Sequence, residues 1–256
     1  MNVGSASMLG DTPPISFIIP AYDEQQLLGR TLVAIDRAAQ AVGEPFEVIV
    51  VDDASTDRTA AVAREQGARV ISVSCRQISA TRNAGAREAK GDVFLFVDAD
   101  TIVTDAVVRA ALSATREGAV GGGSAFRFDE PLPRYGRVIG AVSVPLYRLL
   151  GLASGCFLFC TREAFFAVGG FDESLFGAEE AAMSQVLRRH GRFVILRESV
   201  TTSGRKLRAH SGRETFRILL RLVLAGPKGV RKRDGLEICY GERRADPESG
   251  GGGGGG

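Results

Sequence analysis

Tryptophan is absent, histidine occurs twice and cysteine four times in this 256-residue chain, and each scarcity closes off a class of function. Cys75, Cys156, Cys160 and Cys239 show no zinc-like pairing, and Cys156 and Cys160 straddle an apolar run with no histidine near them. They read as buried free thiols of a reducing compartment. There is no Gly-x-Gly-x-x-Gly after the first apolar run and no Gly-x-x-x-x-Gly-Lys-Ser/Thr anywhere, so neither a dinucleotide fold nor a P-loop is supported. The longest apolar stretch, Val138 to Cys160, is broken by Pro145, Arg148 and several glycines and does not read as a spanning helix. Met1 to Pro14 lacks a basic segment followed by an apolar core, so no secretory leader is expected. Without tryptophan, with no stack of exposed aromatics interleaved among its basic residues and with no recognition motif, the chain does not read as a nucleic-acid binder.

What is present is a rhythm of apolar runs that end in acids. Val93 to Asp100 is five apolar residues closing on Asp98-Ala99-Asp100, a pattern that predicts a central strand buried on both faces. Two neighbouring carboxylates at a strand's carboxyl end repel one another unless a cation holds them, and hard oxygen donors suit Mg²⁺ or Mn²⁺. A solvated turn of helix-capping aspartates is the alternative. Earlier in the chain, Ile15 to Pro20 predicts a strand followed by Tyr22-Asp23-Glu24 and a helix over Gln25 to Val42. Phe46 to Val51 predicts a second strand closing on Asp52-Asp53, with Ser55-Thr56-Asp57 as caps for a helix through Gln66. Val70 to Val73, Ser79 to Lys90 and Val93 to Val97 continue the alternation. Strands alternating with helices predict an α/β fold, helices on both faces of a mostly parallel central sheet. Glu24, Asp52, Asp53, Asp98 and Asp100 should then share one edge, where open α/β sheets bind ligands. Gly121-Gly122-Gly123 reads as a strand start rather than a phosphate cradle.

Five segments, in this order, resemble the family 2 glycosyltransferases: Phe17-Ile18-Ile19-Pro20-Ala21-Tyr22-Asp23-Glu24, Val48 to Asp57, Ala80-Thr81-Arg82-Asn83-Ala84-Gly85, Val97-Asp98-Ala99-Asp100, and Val168-Gly169-Gly170-Phe171-Asp172-Glu173. The resemblance covers roughly residues 15 to 200 and implies a three-layer α/β domain of the A type that binds a nucleotide-diphosphate sugar. It places Pro20, Tyr22 and Glu24 along the nucleotide pocket, Asp52 near the base, Asp53 near the ribose and Arg82 near the base or diphosphate. Asp98 and Asp100 would hold the nucleotide and the metal. It further implies inversion by direct displacement, with one general base. The family's usual Glu-Asp pair is here Glu179-Glu180, at the start of a helix expected over Glu179 to His190, so Glu180 stands at the base position and Glu179 is the other candidate. The helix dipole lowers the pKa of such acids while their mutual repulsion raises one of them. A strand is expected around Leu152 to Thr161, and His210 is a weak candidate for a further metal ligand.

Residues 1–14 read as an extension, 15–202 as the catalytic domain, 203–248 as a basic extension and 249–256 as a glycine tail. From Ser203 to Arg233 ten Lys or Arg face a single acid, Glu214. Arg213, Arg217 and Arg221 form one stripe and Phe216, Leu219, Leu220, Val223 and Leu224 another, the pattern of a helix that lies on an anionic membrane or packs over the sheet. Arg205 and Lys206 are candidates to contact a donor diphosphate, and Val138 to Leu150 to form an acceptor lip or membrane contact. The expectation is a cytoplasmic, metal-dependent inverting glycosyltransferase, peripheral to the inner membrane face. Its partners would be a nucleotide-sugar donor and a glycan, lipid-linked or small-molecule acceptor. A nucleotide-sugar-binding regulator or scaffold without transferase activity is the alternative. A phosphorylated receiver domain fails on the position of its acid pair, and a sugar nucleotidyltransferase on the acidic loop after the first strand.

Overall fold

A computed structural model describes residues 14–129, 132–209 and 212. His210, the stripes between Arg213 and Leu224, Cys239 and the glycine tail lie outside the described residues. Strands β1 (Ile15–Ala21), β2 (Phe46–Asp53), β3 (Arg69–Val73) and β4 (Val93–Val97) alternate with helices α1 (Leu28–Val42), α2 (Thr59–Glu65) and α3 (Ile78–Glu88). There follow β5 (Thr101–Ile102), α4 (Asp105–Arg116), β6 (Ala119–Phe128), α5 (Arg134–Leu150), β7 (Phe157–Thr161), α6 (Arg162–Ala167), α7 (Glu179–His190), β8 (Arg192–Thr202) and α8 (Arg205–Ala209). All eight strands form one sheet in the order β3-β2-β1-β4-β7-β6-β8-β5.

The parallel reading holds for the first four strands, and the sheet as a whole is mixed. β1 pairs in parallel with β2 and β4, and β2 with β3, whereas β7 runs antiparallel to both β4 and β6. The reason lies in the connection. β6 runs in the same sense as β4 and ends at the same edge, and β7 starts at that edge, with Phe157 opposite Val97. Helix α5 therefore need not cross a face of the sheet; it stays with the carboxyl ends. β8 is parallel to β6 and delivers α8 to that edge as well.

Each sheet face has its own core. Phe17, Ile19, Val50, Leu95 and Phe159 pack with α1 and α4, while Ile18, Val51, Phe94, Phe96 and Leu158 pack with α3, α6 and α7. The alternation along β1 and β4 is what a two-sided buried strand requires. α1 ends at Gly43 with φ 81°, and α3 starts where Gln77 Oε1 accepts the Ala80 N–H at 2.7 Å. Ser55-Thr56-Asp57 lie in the loop before α2; Asp57 meets the capping expectation, its Oδ1 accepting the N–H of Thr59, the first residue of the helix, at 2.8 Å, while its Oδ2 accepts the Gln25 N–H at 3.1 Å and joins two loops.

Gly85 fixes how close α3 comes to the sheet. A methyl group there would lie 2.5 Å from Ile18 Cγ2 and 2.7 Å from Val51 Cγ2. The helix propensity gained by Gly85→Ala, about 1 kcal/mol, is outweighed by overpacking of about 1–3 kcal/mol. Gly85→Ala should lower the melting temperature by a few degrees in a thermal denaturation experiment; an equal or higher value would show that α3 can retreat at no cost.

Candidate active site

Register brings the acids together. Ala21 stands opposite Asp52 across β1 and β2, and Ile18 opposite Phe96 across β1 and β4, so the three loops leaving these strands emerge side by side. Side chains then tie the loops to one another. Asp23 Oδ1 accepts the Thr56 N–H at 2.7 Å, Glu24 donates its N–H to Thr59 Oγ1 at 2.7 Å, and Thr31 Oγ1 donates to the Ala99 carbonyl at 2.9 Å. Burial alone would raise the Asp23 pKa, but the hydrogen bonds from Thr56 and its neighbours hold it below the usual carboxylate range.

At the centre is Arg82, the bulkiest fully buried side chain among the described residues. Its Nη1 lies 2.6 Å from Glu180 Oε1 and 3.3 Å from Glu179 Oε1, and its Nη2 lies 2.9 Å from Asp98 Oδ1 and 3.0 Å from the Gly155 carbonyl. Burial opposes its charge, yet the three carboxylates raise its pKa further above the usual arginine value. The two glutamates divide. Burial and the neighbouring Glu180 push Glu179 up to about 8. Burial also works against Glu180, but the Arg82 guanidinium bonded to it wins and holds its pKa below the ordinary value. The resemblance implies Arg82 near the base or diphosphate; in the structure its guanidinium bonds the pair on α7 and Asp98.

The motif that precedes α7 is locked to α3. Asn83 Nδ2 donates to the Phe171 carbonyl at 2.9 Å and Asn83 Oδ1 accepts the Phe171 N–H at 2.9 Å, while Gly169 and Gly170 turn the chain at φ 84° and 77°. Phe171 then lies edge-on to Phe96 of β4 at 5.0 Å, with the Arg82 guanidinium carbon 5.3 Å from its ring centre.

Towards β3 the edge changes character. Asp53 Oδ1 accepts the N–H groups of Cys75 and Arg76 at 2.7 and 2.8 Å, and Oδ2 accepts the Thr81 hydroxyl at 2.8 Å. Asp52 Oδ1, next to it, is buried with no hydrogen-bond partner. Arg76 lies over the Tyr22 ring at 4.0 Å. Cys75 is exposed, contrary to the buried reading, whereas Cys156 and Cys160 are buried and their thiol pKa values are driven up by burial. Pro20 is buried within β1, one residue before the strand ends.

Asp98 and Asp100 follow β4 directly. Asp98 is more than a quarter exposed on its side chain, and Thr202 Oγ1 is 3.4 Å from Asp100 Oδ1. No group of three or more His, Cys, Asp or Glu that could hold a metal occurs among the described residues. Two carboxylate donors, one on a side chain more than a quarter exposed, suit Mg²⁺ or Mn²⁺, which seldom use an all-protein cage. Arg205 Nη2 meets Glu24 Oε1 and Oε2 at 2.8 and 2.9 Å, both residues buried. Arg76, Asn83 and the Arg205–Glu24 pairing had escaped the sequence reading. Asn83 carried a signal, its place beside Arg82 in a matched segment; Arg76 and the pairing carried none.

A family model described as glycosyl transferase family 2 matches residues 16–170. Among curated relatives, the chain is 34% identical over 93 residues to an undecaprenyl-phosphate 4-deoxy-4-formamido-L-arabinose transferase of Edwardsiella ictaluri, a match covering 34% of this chain and 29% of that protein. It is 36% identical over 123 residues to a validoxylamine A glucosyltransferase of Streptomyces hygroscopicus, covering 44% of this chain and 27% of that protein. These matches thus span under a third of the relatives' length. Among solved structures, a mannosyltransferase of Pyrobaculum calidifontis in complex with GDP-Man and Mn²⁺ superposes with a TM-score of 0.66 at 20% identity, covering 86% of this chain and 65% of that one.

The split between the glutamates predicts a pH signature. Glu179, at about 8 when folded against about 4.3 when unfolded, contributes stability that is complete below the lower value and is lost as pH rises towards 8. Glu179→Gln removes this loss. Its melting temperature, relative to the unaltered chain, should climb steadily between pH 5.5 and pH 8.5; a constant difference across that range would mean that Glu179 is not the protonated partner.

Proposed function

The chain belongs to glycosyl transferase family 2, and from that premise we propose that it transfers a sugar from a nucleotide-diphosphate donor to an acceptor hydroxyl, inverting the anomeric carbon in a single displacement. The carrying observation is the Arg82 cluster. One buried guanidinium joins Asp98, on the donor side, to Glu180, the candidate base, so both carboxylates stand within one side chain's width. Such fixed placement of reacting groups is worth several orders of magnitude in rate.

Asp98 and Asp100 would hold Mg²⁺ or Mn²⁺, which when bound supplies Lewis-acid charge to the departing diphosphate. The Mn²⁺ in the mannosyltransferase complex supports that choice. Asp52 offers its unpartnered Oδ1 to a base edge that presents N–H donors. Tyr22 and Arg76 provide a flat face and a cation at the pocket mouth. Glu180 takes the acceptor proton, since Arg82 keeps it ionised while Glu179 stays protonated at neutral pH. As the acceptor oxygen forms its bond to the anomeric carbon, the bond to the diphosphate breaks on the opposite face. A lipid-linked acceptor is supported by the relative named for undecaprenyl phosphate, although at the phosphate of such a lipid the attacking oxygen is already ionised and leaves Glu180 no proton to take.

Calorimetric titration with UDP, GDP and CMP, with and without Mn²⁺, tests the donor half. One diphosphate should bind in a metal-dependent manner, and Asp100→Ala should abolish this. Glu180→Gln should leave donor binding intact and reduce turnover by about 10²- to 10⁴-fold. Normal turnover in Glu180→Gln would overturn the base assignment and point to an acceptor oxygen that arrives already ionised, as a phosphate does.

A further inference from the structure

Helix α5 carries five of the seven large hydrophobic side chains that stand exposed among the described residues: Val138, Val142, Leu146, Leu149 and Leu150, from 47% exposed at Leu146 to 83% at Leu149. Steps of four, four and three place them along one side of the helix over three turns. An apolar stripe of this length on a soluble surface marks a contact site. The helix has no acid from end to end, and Arg134 and Arg137 stand exposed at its first turns.

Location adds meaning to that surface. α5 lies at the carboxyl edge of the sheet, between the ends of β6 and the start of β7. At its first turn Tyr135 donates a hydrogen bond to the Leu207 carbonyl of α8. At its last, Arg188 of α7 bonds the Leu150 carbonyl at 2.7 Å, and the following loop reaches the site, where a methyl on Gly155 would lie 3.0 Å from Glu180 Oε1. The stripe and the candidate base are thus a short loop apart.

We propose that α5 is a membrane-docking helix. It lies in the plane of an anionic bilayer, with its Val and Leu stripe at the acyl boundary and Arg134 and Arg137 among the headgroups, which turns the catalytic edge towards the membrane. Charge complementarity selects this occupant: arginines without a single acid match a negatively charged lipid surface, and an apolar stripe beside them matches its interior boundary. The proposal goes beyond sugar transfer and does not depend on it, because vesicle binding is read without turnover.

Leu149→Trp in the full chain gives a clean reporter, since the sequence has no other tryptophan. With vesicles of phosphatidylcholine mixed with phosphatidylglycerol, the indole emission should shift to the blue and be quenched by brominated lipid, with a weaker response at high salt and on phosphatidylcholine alone. The double variant Val142→Asp/Leu149→Asp should keep its melting temperature, as both side chains already face water, and lose at least about tenfold in vesicle co-sedimentation. Undiminished co-sedimentation of that variant would place the contact elsewhere, for example on the basic segment from Ser203 to Arg233. An emission already blue before lipid is added would mean that residues beyond 212 or a second copy cover the stripe. Either result, or an indole that never responds, overturns the proposal.

Discussion

A single guanidinium, buried where water cannot screen it, sets the terms for the rest of this edge. Arg82 cannot lose its proton, so its burial is tolerable only while Glu179, Glu180, Asp98 and the Gly155 carbonyl surround it. Removal of any one carboxylate would alter the charge state of the others. The cluster joins α3 and α7 to the end of β4 and the loop before β7. It acts as both a structural joint and a pKa divider: one glutamate ionised, one protonated, from two acids adjacent in sequence.

Around the joint the backbone is held in costly conformations. Asp23, Ala54, Arg76 and Ala178 are the non-glycine residues with positive φ among those described, and each lies in a loop at the carboxyl edge. Such conformations persist only where neighbours over-determine them. Thr56 bonding Asp23, and Asp53 gathering the N–H groups of Cys75 and Arg76, do so. Ala178 has no side-chain bond to hold it, and its position immediately before Glu179 aims the first turn of α7 at Arg82. The strain is spent on direction.

Much of this was legible in the residues. Continuous apolar runs marked β1, β2 and β4 as strands, and the acids that ended them converged on one edge because parallel strands share a direction. Glu179 to His190 was a helix by its pattern and by its basic end, and the structure agrees. The mixed half of the sheet was not legible, because β7 is a run as apolar as β4 and strand direction is set by whether α5 crosses a face, which no local pattern records. Arg82 was singled out, but its bonds to three carboxylates were not: a resemblance locates a residue without saying which way its side chain turns. The pairing of Arg205 with Glu24 could not be read at all, since neither residue carries a mark of the other.

That last pairing has a consequence in time. Glu24 and Arg205 are 181 residues apart, so the first loop of the site waits for its partner until nearly all of the described chain has been made. At synthesis rates of about 5–20 residues per second this is about 10–35 s, in which β1, β2 and β4 are complete before Arg205 exists. The bond between the first loop and α8 is therefore one that the parallel half of the sheet must wait for, whatever has formed before it.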